Sequence, residues 1–388
     1  MNDLSNGFDI DDPIFRESIR RFVEREIAPH HAEWEDAGQV DRSLWLKAGE
    51  AGLLCATLPE DYGCPGGDFR HAAIITEEVA RAGATGVLFY LHSEIVAPYV
   101  LHYGSEALKQ RWLPEMAAGR AVGAIAMSEP STGSDVRAIR TRAVRDGDHY
   151  VLKGQKIFIS NGQTADLFMV AAKTGEDRGS DAISLFLVEA RLAGFDRGRV
   201  LDKVGMKAQD TSEIFFDDVR VPADHLLGEE GQGFRYLVEQ LAQERLMVAI
   251  AAVGAAEGAL EHTISYVKER ETFGQPLASH QNTRFEIGDM LSQVKVARVF
   301  IDWCVAEHMA GRLDGTTASM AKLWTTEMQC ALIDRCLQLH GGYGYMREYP
   351  IARAWADARV QRIYGGTSEI MKEIVARSRL GGVKGRKG

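Results

Sequence analysis

A block of short β-branched and aromatic runs, about a hundred residues long, lies between two stretches of helical periodicity, and that order limits the folds open to the chain. The runs Tyr150–Leu152, Lys156–Ser160, Ile183–Val188 and Glu213–Phe216 are separated by turn residues, and the turn dipeptides Asp146-Gly147 and Asn161-Gly162 suit hairpins. Ahead of this block, Asp12 can cap a helix and Pro13 can occupy its first turn; Phe15, Ile19, Phe22, Val23 and Ile27 then recur at helical spacing until Gly38. Helical patterns return at Phe69–Arg81 and Ser105–Ala118, with Pro59, Gly63, Pro65, Gly66 and Gly67 marking a loop. Beyond Gly228, four long amphipathic stretches (Phe234–Arg270, His280–Ala310, Thr316–His340 and Thr367–Leu380) predict a bundle. This order is not the strand–helix alternation that builds a Rossmann sheet. The expected class is therefore α+β and multidomain, with a helical domain over 1–121, a β domain over 122–228 and a four-helix bundle over 229–388.

Charge and cysteine usage exclude several functions. A net charge of −10, with no stripe of Lys and Arg, argues against a nucleic-acid binder, because a phosphate backbone is held by clustered cations. The five cysteines (Cys55, Cys64, Cys304, Cys330 and Cys336) form no CxxC pair, no zinc-ligand spacing and no disulfide framework, which suits a reducing cytoplasm. No uncharged apolar run reaches the roughly 18 residues of a membrane span, and MNDLSNGFDI has neither the basic nor the apolar segment of an export signal. The Gly-rich, basic tail Gly381–Gly388 reads as a frayed terminus.

Six segments could carry chemistry. Ala126–Ala138, AMSEPSTGSDVRA, offers backbone N–H groups and the hydroxyls of Ser128 and Ser134 to a heterocycle or phosphate, although such loops are more often plain turns. In Lys156–Gly162, Phe158 and Ser160 lie two apart on a strand, so an aromatic wall and a hydroxyl share one face; a core Phe is the ordinary alternative. Arg270–Gln281, RETFGQPLASHQ, supplies a guanidinium fork suited to pyrophosphate or simply a solvated helix end. Gln338–Asp357 places Gly341, Gly342 and Gly344 between two helices, for close backbone approach or for a bare turn. Tyr364–Ile370, YGGTSEI, sets two glycines before a helix start, where amides and the helix dipole form an anion or ribose site or an ordinary cap. Glu244 stands on an apolar stripe with Leu237, Leu241 and Val248. It is either one half of a buried pair with a cation such as Arg245, or a general base made more basic by desolvation.

Taken together, and in this order along nearly the whole chain, the six segments closely resemble the acyl-CoA dehydrogenase family. Gln338, Gly341, Gly342, Gly344, Tyr345, Glu348, Arg353 and Asp357 match that family's C-terminal signature, and AMSEPSTGSD matches its first signature except that Thr132 replaces a smaller residue. The resemblance implies N-terminal helices, a middle β barrel-like domain and a C-terminal four-helix bundle, with FAD between the last two. It implies that Met127, Ser128, Gly133, Ser134, Phe158 and Ser160 line the flavin, and that Arg270, Phe273, Gln281, Gln338 and Gly342 reach FAD from a neighbouring subunit in a homodimer or homotetramer. Thr367 and Glu369 join the cofactor set, and Ser134, Arg245, Gly365 and Gly366 the substrate set.

Many family members hold the catalytic base in a Tyr-Glu-Gly-Thr motif, where this chain has Gly365. The long-chain and isovaleryl-CoA branches resemble this sequence instead, with a small residue there and a Glu before an Arg on the first bundle helix, here Glu244-Arg245. KAQDTSEIFFDDVRVP, QERL, QLHGGYGYM and YGGTSEIMKE look most like the long-chain branch. The implied reaction is α,β-dehydrogenation of a medium- to long-chain acyl-CoA, straight or branched, to the trans-2-enoyl-CoA. Glu244 would take the α proton, flavin N5 the β hydride, and the Gly365 amide would steady the thioester oxygen. Electron-transfer flavoprotein is the implied acceptor, and no metal is implied.

Overall fold

The computed structural model describes residues 10–175 and 182–381, so the tail reading falls outside the described residues from 382 onward. Among the described residues six α-helices come first: α1 (Pro13–Phe22), α2 (His31–Ala37), α3 (Arg42–Glu50), α4 (Phe69–Arg81), α5 (Ala97–Tyr103) and α6 (Glu106–Ala117). The α1 cap forms as read, with Pro13 in the first turn and the Asp12 carboxylate accepting from the Phe15 N–H at 3.0 Å. The helical stretch to Gly38 is broken, however. A wide turn over Val23–Ile27 follows α1, then Pro29 precedes α2, whose end is closed by Gly38 in the left-handed conformation, φ 74°.

The chain divides into two compact units, Met1–Val23 with Ala73–Ala84 and Leu241–Gly388, and Glu24–Ala72 with Thr85–Gln240. The second unit contains the sheet: β1 (Gly123–Ala126), β2 (Arg142–Asp146), β3 (His149–Ser160), β4 (Leu167–Lys173), β5 (Ile183–Glu189), β6 (Phe195–Val200), β7 (Thr211–Pro222) and β8 (Leu226–Leu227). Strands run in the order β6-β7-β3-β2-β4-β5-β8, with β1 parallel to β4. The two runs expected at 150–152 and 156–160 are one long strand, β3. Asp146-Gly147 turns the β2–β3 hairpin as expected, with Gly147 at φ 60°. Asn161-Gly162 makes no hairpin, because β3 pairs with β2 and β7 rather than with β4. Asn161 is buried instead, and its amide donates to the Gly123 carbonyl at 3.1 Å. Alternation fails at β4 and β5, which are buried along nearly their full length, as expected of strands covered on both faces.

The first unit is built on four long helices, α7 (Gly233–Glu269, within this unit from Leu241), α8 (Gln281–Met309), α9 (Gly315–His340) and, after the short α10 (Pro350–Ala358), α11 (Ser368–Leu380). Residues Leu246–Val253 of α7 are buried all round the helix, so it is the core helix of its unit. Small residues let α4 close on it: a Cβ on Gly258 would lie 2.0 Å from the Arg81 carbonyl oxygen, and one on Gly254 2.8 Å from that of Glu77. Arg298 on α8 is tied to Glu257 on α7, and Arg335 on α9 to Glu286 on α8.

Candidate functional site

Helical spacing on α7 puts Glu244 and Val248 one turn apart, and both are buried, Glu244 at 9% exposure. The turn before α11 comes up against the same stripe. Gly365 and Gly366 both adopt positive φ, 65° and 99°, a conformation that costs an L side chain free energy and glycine almost none. A Cβ on Gly365 would sit 3.6 Å from Val248 Cγ2, so the turn lies on the Glu244 face of the helix with no side chain interposed. Gly365 itself is exposed. Thr367 caps α11, its hydroxyl accepting from the Ile370 N–H at 3.3 Å. Glu369 occupies the first turn, where backbone N–H bonding and the Thr367 hydroxyl hold its carboxyl below the usual range.

Two cations absent from the sequence reading, or only half placed by it, lie beneath this turn. Arg245 is buried, its Nη1 donates to Ser319 Oγ at 3.1 Å, and its Nε has no hydrogen-bond partner among the described residues. Burial lowers the Arg245 pKa while the neighbouring Glu244 charge raises it. The two residues therefore interact electrostatically, and the buried-pair reading and the general-base reading of Glu244 are compatible. Lys322, one turn along α9 from Ser319, is fully buried and donates from Nζ to the Gly366 carbonyl at 2.7 Å. Burial, reinforced by the Arg245 charge, brings its pKa down to about 8. Sequence reasoning missed Lys322; the only signal was a lone cation between Ala321 and Leu323 in an otherwise apolar stretch.

In the other unit the loop after β1 carries Met127 and Ser128, both half-buried, and Gly133 and Ser134, both exposed. Its shape depends on a fully buried Lys156, which bonds the Glu129 carboxylate at 2.9 Å and the Met127 carbonyl at 3.0 Å. Glu129 also accepts from the backbone N–H groups of Arg140 and Thr141, at 2.5 and 2.9 Å. Burial takes Lys156 down to about 8, and although burial pushes Glu129 up, Lys156 and Thr141 hold it below its ordinary value, so the pair is ionised at neutral pH. Lys156→Met should cost about 2 kcal/mol, because the charge-assisted bonds vanish while the backbone donors still satisfy part of the carboxylate. Thermal unfolding beside wild type reads this, and an unchanged midpoint would show that the pair contributes nothing.

A bulge in β3 between Lys156 and Ile159 changes the presentation of Phe158 and Ser160. Phe158 has φ 62°, unusual for an aromatic residue, and is 66% exposed rather than core. Ser160 is half-buried, and the two flank buried Ile159.

At one end of the bundle, Arg270 is exposed, with its guanidinium 5.4 Å from the centre of the Tyr343 ring. A two-residue ladder, Glu271–Thr272 with Gln275–Pro276, lifts Phe273 to 98% exposure at φ 52°. Gln281 begins α8 and Gln338 lies in the last turn of α9, both exposed. Gly342 is also exposed, and no atom lies within 4 Å of where its Cβ would be. Glu244, Arg245, Gly365 and Gly366 are thus brought together on one helix face, and Arg270 lies near the Gly341–Gly342 turn through its Tyr343 contact.

Three family models match: Acyl-CoA dehydrogenase, N-terminal domain over residues 11–120, middle domain over 124–219, and C-terminal domain over 231–380. The long-chain specific mitochondrial acyl-CoA dehydrogenase of Sus scrofa is 51% identical over 372 residues, covering 95% of this chain and 86% of that protein. An acyl-CoA dehydrogenase from Geobacillus kaustophilus superposes with a TM-score of 0.92 at 48% identity, covering 94% of this chain and 97% of that one. A glutaryl-CoA dehydrogenase from Mycobacterium smegmatis, solved in complex with FADH2, gives 0.89 at 29% identity, with 97% of each chain covered. With all three domains matched in order and half its residues identical to a full-length relative, the chain belongs to the acyl-CoA dehydrogenase family of oxidoreductases.

Proposed function

We infer that this enzyme dehydrogenates medium- to long-chain acyl-CoA, straight or branched, to the trans-2-enoyl-CoA, with Glu244 as the base. The observation that carries this reading is the buried Glu244 carboxylate on the helix face to which the glycine turn at 365–366 is applied. The chain-length preference is supported by the 51% identity to a long-chain specific relative. The residues present fit FAD. Phe158 and Phe273 hold large aromatic rings in the open on strained backbone, and Gly133 and Gly342 leave room for close approach, with no atom within 4 Å of either Cβ position. Met127, Ser128, Gly133, Ser134, Phe158 and Ser160 would hold the flavin. Arg270, Phe273, Gln281, Gln338 and Gly342, with Thr367 and Glu369, would hold the rest of the cofactor, the first five across a homodimer or homotetramer interface. When bound, FAD supplies the hydride acceptor for the hydrogen leaving the β carbon.

The protein's own residues do the remainder. The thioester oxygen accepts from the Gly365 N–H, which draws charge off the α carbon and makes its proton acidic; one such donor is worth roughly 3 kcal/mol. Glu244 takes that proton, and the electron pair left behind forms the new double bond as the β hydrogen departs with its own pair. Arg245, the buried cation next to Glu244, interacts electrostatically with that carboxylate. Ser134 and Gly366 complete the substrate contacts. We further assign the oxidation of the reduced enzyme to an electron-transfer flavoprotein, and the protein to the cytoplasm, which suits its five unbridged cysteines.

The test is the visible spectrum of the purified protein under anaerobic conditions, before and after palmitoyl-CoA. A yellow protein whose flavin band bleaches supports cofactor, substrate class and reaction together. A flavin band left unchanged by palmitoyl-CoA and by short and branched thioesters would instead favour a scaffold that binds acyl-CoA without oxidising it, the alternative raised by Gly365 standing where many relatives carry a base.

A further inference from the structure

The glycine turn at 365–366 is held from below by a row of side chains on α9 that the reaction chemistry does not itself require. Lys322 donates to the Gly366 carbonyl at 2.7 Å. About one and a half turns further along α9, Glu327 accepts from Ser368 Oγ at 2.5 Å and lies 2.8 Å from Arg362 Nε. Arg362 and Ser368 bracket the turn, so Glu327 pins its two ends and Lys322 its middle. A glycine pair has the widest choice of φ and ψ of any dipeptide, and without such restraint the Gly365 N–H would point in many directions. Lys322 is also costly to bury: it is fully enclosed, next to a second buried cation, Arg245, and among the described residues its ammonium donates to this carbonyl alone.

We propose that Lys322 is a positioning residue that fixes the peptide after Gly366 and so aims the Gly365 N–H at the thioester oxygen. The proposal rests on the reading that this amide meets the substrate. It predicts a particular division of kinetic effects. Loss of the Lys322 bond leaves Glu244, the flavin residues and most substrate contacts in place, so binding changes little. The enolate-like charge, which needs the amide correctly aimed, is affected most.

The experiment compares FAD-loaded wild type with Lys322→Met, which keeps length and apolar bulk but removes the donor, and with Glu327→Gln, which loosens the ends of the same turn. Hydrogen–deuterium exchange of peptides spanning 361–371 should quicken about tenfold or more in Lys322→Met, with peptides of α7 and α8 unchanged. The limiting rate of flavin reduction by palmitoyl-CoA should fall roughly 10- to 100-fold, the loss expected when a charge-assisted hydrogen bond is removed. The dissociation constant for palmitoyl-CoA should stay within about threefold. Glu327→Gln should show a smaller change in the same sense. Unaltered exchange over 361–371 would overturn the proposal whatever the activity, as would faster exchange with an unaltered reduction rate, or exchange quickened across the whole bundle. If wild type itself is not reduced by any acyl-CoA, the dehydrogenase reading fails, while the exchange measurement still decides whether Lys322 holds the turn.

Discussion

Glu244→Gln should retain FAD and bind acyl-CoA much as wild type does, yet its flavin should be reduced about 10²- to 10⁴-fold more slowly, the range lost when a positioned general base is removed. The substitution preserves size and shape, so it puts no new bulk against the neighbouring turn. What changes is that an amide cannot accept the α proton. The same substitution withdraws the negative charge that raises the Arg245 pKa, so the variant carries a less compensated buried guanidinium, whose Nε is already unpartnered among the described residues. FAD content and thermal midpoint must therefore be recorded beside the rate. A variant that keeps its flavin, binds palmitoyl-CoA and bleaches at the wild-type rate would remove Glu244 from the reaction. The carboxylate within the glycine-turn motif itself, Glu369, is exposed in the first turn of α11.

The parts of this enzyme that the sequence announced are those governed by local rules. The α1 cap at Asp12-Pro13, the limits of the four long helices and the Asp146-Gly147 hairpin all follow from spacing and turn chemistry, and the structure places them within a residue or two of expectation. Glu244 was legible because a carboxylate on an apolar stripe is a local anomaly. What stayed hidden depends on contacts between distant segments. Asn161-Gly162 has hairpin composition, yet strand order sends β3 to β7, and the Asn161 side chain is spent on Gly123 instead. Lys156 and Lys322 each look like one polar residue in an amphipathic run. Their partners, Glu129 and the Gly366 carbonyl, lie 27 and 44 residues away, and periodicity within an element carries no information about them. Strand alternation makes Phe158 a core residue or an aromatic wall, and the bulge that throws it into the open is set by the pairing of β3 with β7.

Arg298→Met should destabilise the first unit by about 3–5 kcal/mol, the cost of removing one partner from a buried ionic cluster. Arg298 is held by Glu77 from α4 and by Glu257 from α7, at 3.0 and 2.8 Å for the latter, with Asp302 3.6 Å away on its own helix. Arg16 on α1 bonds Glu77 and Glu78, both at 2.9 Å, so the cluster joins four helices of one unit. Glu77, Glu78 and Asp302 are all buried, and methionine would leave Glu77, Glu257 and Asp302 facing one another without the cation between them. The pH dependence follows from Asp302. Burial pushes its pKa up to about 7; Arg298 opposes this, and the charges of Glu77 and Glu257 add to it. An acid whose folded pKa lies above its unfolded value contributes stability that is complete below the unfolded value, about 4, and is lost as pH rises through about 7. Removing Arg298 strips away the influence that restrains this rise, so the deficit of Arg298→Met should be larger at pH 8 than at pH 5.5, where protonation relieves the repulsion. Asp302→Asn should show the opposite trend, losing stability relative to wild type at pH 5.5 and recovering it at pH 8. Thermal unfolding of the FAD-bound variants at the two pH values measures both, and an Arg298→Met deficit that did not grow with pH would show that the repulsion among these carboxylates does not govern the unit's stability.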